Sequence, residues 1–140
     1  MNAPILAPIV VLCAWTMFIQ AWMYSLRIPA ILKLKLKMDP RVPGSELLRD
    51  IPPEVRWKAD NYNNLMEQPT VFYAVCFALA LLGVGQGINV SLAWIYVLLR
   101  VIHSFVHTTV NNITARFAIF NLGSFVLLGL VINALRAALF

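Results

Sequence analysis

Charge is what this sequence has least of. Only 12% of its 140 residues are charged, against about a quarter in an ordinary soluble domain, while 61% are hydrophobic. A water-facing surface cannot be made from so few charges, so a soluble globular domain is excluded and lipid is the expected solvent. Cysteine is almost as scarce. Cys13 and Cys76 each sit in an apolar run with no CxxC pair, which excludes a disulfide framework and reads both as small buried hydrophobes. There are two histidines and six acids, no internal repeat and no low-complexity tract. The first residues lack the positive start and small-residue cleavage site of a signal peptide, so the first apolar stretch is expected to stay as a span.

What charge there is gathers in one place. Eight of the eleven basic residues lie between Arg27 and Asp60, together with five of the six acids, leaving that segment a net +3. No basic groove interleaved with aromatics is present, so nucleic acid is not an expected partner. The segment reads as a cytoplasmic loop.

Long uncharged runs occupy the rest. Spans of about 20 residues are needed to cross a bilayer, and four fit, at about 5–26, 66–83, 90–110 and 117–136, with a loop at about 38–54. The chain is therefore expected to be one all-α domain, a bundle of four transmembrane helices. Trp15, Trp22 and Tyr24 include candidates for an interfacial belt on the first span. Lys33 and Lys37, four apart, fit a helix that continues past Arg27, although the Lys-Leu alternation there also fits a strand. Asp39-Pro-Arg-Val-Pro-Gly and Ile51-Pro-Pro-Glu stop helices and set turns. Pro69 cannot bond the carbonyl of Leu65 and predicts a kink in the second span. Lys and Arg crowd the first connection and Arg116 stands by the third, while the Gly-rich connection at 83–89 has none. By the positive-inside rule both termini face away from the cytoplasm.

Polar groups inside spans are costly and mark function by default. Here they form stripes. Arg100, His103, Ser104, His107 and Asn111 fall at offsets 0, 3, 4, 7 and 11, one face of a helix, and Asn64, Glu67 and Gln68 share a face on the second. With Arg116, three helices bring polar groups to one depth, as a binding cavity requires. An interhelical Arg100–Glu67 ion pair that fixes packing is the plainer alternative. His103 and His107 present two imidazoles four apart, but no third ligand is near, so no metal site is expected.

These motifs resemble the MAPEG superfamily, membrane-associated proteins in eicosanoid and glutathione metabolism that include microsomal glutathione transferases and prostaglandin E synthase. Asn64-Leu-Met-Glu67 is similar to the family's Asn-x-x-Glu, and Arg100-Val-Ile-His103 through His107 to Arg116 is similar to its Arg-x-x-His pattern. The resemblance implies a homotrimer with glutathione as cosubstrate, bound near the cytoplasmic face by Asn64, Glu67, Arg100 and His103. It further implies a glutathione thiolate stabilised by Arg116 that attacks hydrophobic electrophiles or reduces lipid hydroperoxides arriving from the membrane lipids. His107 stands where eicosanoid-forming members carry Tyr, which argues against prostaglandin synthesis and makes His107 a second catalytic candidate. Asp60 and Asn63 stand where members carry Arg, leaving Arg56, Lys58 or Arg27 to supply those cations. Those departures keep open a non-catalytic, lipid-binding or assembly protein of the same fold. The absence of an endoplasmic-reticulum retention signal makes a bacterial inner membrane the expected location.

Overall fold

A computed structural model describes residues 3–140. All regular structure among them is helical: α1 Leu6–Lys33, α2 Gly44–Leu47, α3 Pro53–Leu65, α4 Gln68–Leu81, α5 Ile88–Thr109 and α6 Ile113–Leu139. Three of these, α1, α5 and α6, are long and apolar enough to cross a membrane unaided. α4 is shorter: its 14 residues, at 1.5 Å per residue, reach only about 21 Å against a hydrocarbon core about 30 Å thick.

The second crossing breaks where a kink is expected. α3 ends at Leu65 and α4 starts at Gln68, with Pro69 in its first turn. Pro69 removes an intrahelical donor, and the chain takes a hinge at Met66–Glu67, where Glu67 has φ −91° and ψ −97°. Thr70 Oγ1 donates to the Glu67 carbonyl at 2.6 Å and closes the new helix start.

α1 continues past Arg27 but stops at Lys33, so Lys33 and Lys37 do not share a helix face. The end is a Schellman turn: the Lys35 amide donates to the Leu32 carbonyl and the Leu36 amide to that of Ile31. The left-handed residue is Lys35, at φ +49°, and no strand follows. Pro29 sits inside the helix, leaving the Ser25 carbonyl without its intrahelical donor.

At the opposite end, Gly83 takes φ +76° and Gly87 φ +59° to turn α4 into α5. Asn89 Nδ2 donates to the Val84 carbonyl at 2.9 Å, and Asn133 Nδ2 donates to Asn89 Oδ1 at 2.7 Å, tying the turn to α6. The Ile5 amide donates to the Gly85 carbonyl, which sets the start of α1 beside the same turn.

The bundle carries apolar side chains on its outside as well as in its core. Its interior holds Leu12, Ile19, Phe72, Cys76, Leu79, Tyr96 and Leu130, with the Phe72 and Tyr96 rings stacked at 4.5 Å. Arg100, His103, Ser104, His107 and Asn61 are buried there too, while Leu81 is 78% exposed and Phe125 70%. On α6 only Gly123, Leu127 and Leu130 are buried, so most of that apolar helix faces outward. Apolar helix faces turned outward, with the few span polar groups turned inward, are what lipid selects. The chain is an integral, all-α membrane protein.

Candidate functional site

On α5 the polar residues Arg100, His103, Ser104 and His107 are all buried, on a helix that packs against α1, α3 and α6. Arg100 stands at its centre. Its Nε donates to Tyr96 Oη at 3.0 Å, its Nη1 to Asn64 Oδ1 at 3.0 Å, and its Nη2 to Gln68 Oε1. The guanidinium also lies 4.9 Å from the Phe120 ring centroid. Tyr96 Oη donates to Gln68 Oε1 at 3.2 Å, and Gln68 Nε2 donates to Ser124 Oγ at 2.7 Å. One guanidinium thus links α3, α4 and α5, with α6 joined through Gln68.

No Arg100–Glu67 ion pair forms. Among the described residues the ion pairs are Arg41–Asp39 and Arg49–Asp50, both in the loop. Neutral amides fill the place of the carboxylate because the hinge turns Glu67 outward, where its only side-chain bond is from Asn64 Nδ2 at 3.4 Å. Gln68, one residue on, points in.

One turn toward the loop, Asn61 Nδ2 donates to Ser104 Oγ at 3.2 Å. His103 and His107 are buried beside it with ring centroids 5.7 Å apart, edge to face. Three buried side-chain atoms of this region have no hydrogen-bond partner: Asn61 Oδ1, His107 Nδ1 and Arg116 Nε. Unpartnered buried polar atoms are costly and rare, so three on neighbouring elements mark a place built to receive polar groups.

Arg116 is held by the turn between α5 and α6. Asn111 adopts φ +52°, a left-handed conformation that Asn tolerates, and its Oδ1 accepts from Arg116 Nη1 at 2.6 Å. Asn112 caps α6 by accepting from the Ala115 amide at 2.9 Å. Arg116 is thereby fixed within electrostatic range of His103, His107 and Asp60.

Asn111 also lines a cavity of about 570 Å³ between the end of α1, α2 and α3. Arg27, Arg56, Asp60, Asn63 and Trp57 are on its walls, and Gly44, Ser45 and Leu48 close its loop side. The volume suits a small-molecule ligand. The site residues expected from sequence therefore fall into two linked sets. Asn64, Arg100, His103 and His107 lie in the bundle interior, and Arg27 and Arg56 line the cavity. Arg116 joins them through Asn111, while Glu67 belongs to neither. Tyr96 joins the network though sequence spacing, four before Arg100, was its only signal, and Gln68, placed on the polar face with Asn64 but not among the ligand-binding candidates, sits at its centre.

Among the described residues no three His, Cys, Asp or Glu side chains gather in a way that would hold a metal ion.

Fold and site together define an integral helical membrane protein with a cationic polar pocket at its loop end. The MAPEG family profile matches residues 5–136, nearly the whole chain, and the protein belongs to that family, which includes glutathione-dependent transferases and peroxidases. Neither the curated proteins nor the solved structures contain a match to it.

Proposed function

We propose that this protein is a glutathione-dependent transferase or peroxidase that acts on hydrophobic electrophiles or lipid hydroperoxides. The observation that carries this reading is Arg116: one arm of its fork is fixed by Asn111 on the rim of a cavity holding two further arginines, and its buried Nε is unspent. Glutathione has two carboxylates, an ammonium and a thiol. Arg27 and Arg56 offer cations for the carboxylates, and Asp60 on the same wall offers an anion for the ammonium. Glu67, expected among the glutathione contacts, is turned outward by the hinge, and Asp60 takes the ammonium instead.

Arg116 stabilises the thiolate, which is the nucleophile. With an aryl halide, sulfur bonds to the ring carbon and halide leaves with the bonding pair. With a lipid hydroperoxide, sulfur takes the terminal oxygen, the O–O bond breaks and the lipid alkoxide takes a proton, for which an imidazole N–H of His107 is the nearby donor. A second glutathione then displaces water from the sulfenic acid and leaves glutathione disulfide. Fixed donors aimed at developing charge are worth about a hundredfold or more each in rate. The buried Arg100 network positions Asn64 and the α5 stripe behind the site. Three such chains are proposed to form the working unit, in a bacterial inner membrane with both termini away from the cytoplasm.

The test is titration of detergent-solubilised protein with glutathione, followed by conjugation of a chloronitrobenzene. Binding and turnover are expected, with Arg116→Ala losing about a hundredfold in turnover. No binding at millimolar glutathione refutes the proposal.

A second reading is a non-catalytic lipid-binding or assembly protein of the same fold. It is favoured by an apolar recess of about 390 Å³ on the outer face, formed by Phe18, Ala21, Trp22, Ser25 and Phe105. It predicts a lipid that co-purifies and no thiol turnover, which mass spectrometry of gently extracted protein distinguishes from bound glutathione.

A further inference from the structure

The end of α1 carries a feature that the glutathione reading does not use. From Leu32 the sequence runs Leu-Lys-Leu-Lys-Leu-Lys-Met, a cation at every second position. Lys33, Lys35 and Lys37 are all exposed, and among the described residues none makes a side-chain hydrogen bond or ion pair. The nearest acid in sequence, Asp39, is occupied by Arg41, which donates to it from Nε and Nη2, each at 3.1 Å. Three positive charges are left without protein anions.

The apolar residues between them are not folded away. Leu32 is 71% exposed, Leu34 43% and Met38 55%. In water, such an arrangement would leave these hydrocarbon side chains exposed, which is unfavourable. At a bilayer surface the same residues are satisfied, hydrocarbon among upper acyl carbons and ammonium groups among phosphates.

The fold puts the segment at that depth. The Ile5 amide bonds the Gly85 carbonyl, so the start of α1 is level with the α4–α5 turn at the far membrane face. A hydrocarbon core of about 30 Å takes up about 20 residues of helix from there, which ends near Tyr24 and Ser25, just past Trp22. The last two turns of α1 therefore stand in the headgroup layer. Pro29 loosens the helix at this point, and the Schellman turn at Lys35 swings the chain off the helix axis. A lysine occupies the left-handed position, φ +49°, where glycine would fit at lower backbone cost. Charge is kept there at the expense of conformation.

We propose that residues 32–38 form a docking surface for anionic phospholipid headgroups of the surrounding bilayer, with Lys33, Lys35 and Lys37 on lipid phosphates and Leu32, Leu34 and Met38 seated between the acyl chains. An acidic protein surface would match the charges but not the alternating exposed leucines. A few residues further on, Gly44, Ser45 and Leu48 wall the 570 Å³ cavity, so lipid bound here steadies that wall.

The experiment is native mass spectrometry of the full-length protein released from micelles containing equal phosphatidylglycerol and phosphatidylcholine of matched acyl chains. Basic residues near an anionic surface contribute about fivefold each. The wild type is expected to retain phosphatidylglycerol at least about tenfold over phosphatidylcholine, and about 0.5 M salt should erode the ratio. Each single Lys→Gln variant should lower the ratio, and Lys33→Gln/Lys35→Gln/Lys37→Gln should bring it close to one, while the matching triple Arg variant keeps it. Equal retention of the two lipids by the wild type overturns the proposal. So does an unchanged ratio in the single and triple Gln variants, or displacement of the lipid by millimolar inorganic phosphate. None of these readouts depends on glutathione.

Discussion

Arg100 Nη1 donates to Asn64 Oδ1 across 3.0 Å, joining the centre of α5 to the last turn of α3 at the level where the second crossing breaks. A buried guanidinium without a carboxylate is unusual, and its cost is met here by neutral acceptors on three helices. The hinge makes this possible, because it turns Gln68 inward and Glu67 outward.

Replacing Arg100 by Ala removes bonds to Tyr96, Asn64 and Gln68 at once. Interhelical hydrogen bonds in membrane proteins average about 0.6 kcal/mol each, so a loss of about 2 kcal/mol is expected, read as a lower melting temperature in detergent. Arg100→Lys should recover only part of it, since one ammonium cannot serve three divergent acceptors. Equal melting of all three proteins would refute the network's structural role.

Asn111→Gly separates the backbone of the α5–α6 turn from its side chain. Glycine accepts φ +52° freely but cannot bond Arg116. Hydrogen bonds to charged groups are worth about 1.5–3 kcal/mol, so kcat/KM for glutathione conjugation should fall at least about tenfold with little change in melting temperature. Asn111→Ala should lose both, because alanine is strained at that φ.

Lys58 gives a pH dependence. Burial holds its pKa below the usual 10.5, against an opposing pull from Glu54. Its Nζ sits 5.1 Å over the Trp22 ring and donates to the Glu54 carbonyl at 2.8 Å. Between the folded-state pKa and 10.5 the unfolded chain binds more protons than the folded one, so stability contributed by this group rises with pH across that window. Melting measured from neutral pH up to about 10 should show this rise in the wild type and a smaller one in Lys58→Met.

Gly85→Ala tests the contact between the start of α1 and the α4–α5 turn. A Cβ there would meet Ile5 Cγ2 at 2.7 Å and Ala80 Cα at 3.1 Å. Overpacking of this kind costs about 1–3 kcal/mol. Melting should drop accordingly, and Ile5→Ala in the same protein should restore part of the loss. Glutathione binding, at the other end of the bundle, should be unaffected.

Composition and periodicity by themselves determined the solvent, the helical class and the stripe from Arg100 to His107; Asn111, expected on the same stripe, lies beyond the end of α5 in a left-handed turn. Hydrophobic runs and 3.6-residue spacing are local properties, and lipid leaves the chain few other ways to satisfy its backbone. The motifs also sufficed to name the family. Tertiary structure decided which polar residue meets which. Pro69 announced a disturbance, but only packing against α5 and α6 determined that the helix would break outright and exchange Glu67 for Gln68 at the centre. The separation of Arg27 and Arg56 from Arg100 was hidden for the same reason, since it depends on how the loop folds back over the end of α1. Lys35 in a left-handed turn was unreadable because that conformation normally belongs to glycine. Long-range contact chose these outcomes, and a sequence pattern carries spacing along the chain but no direction across it.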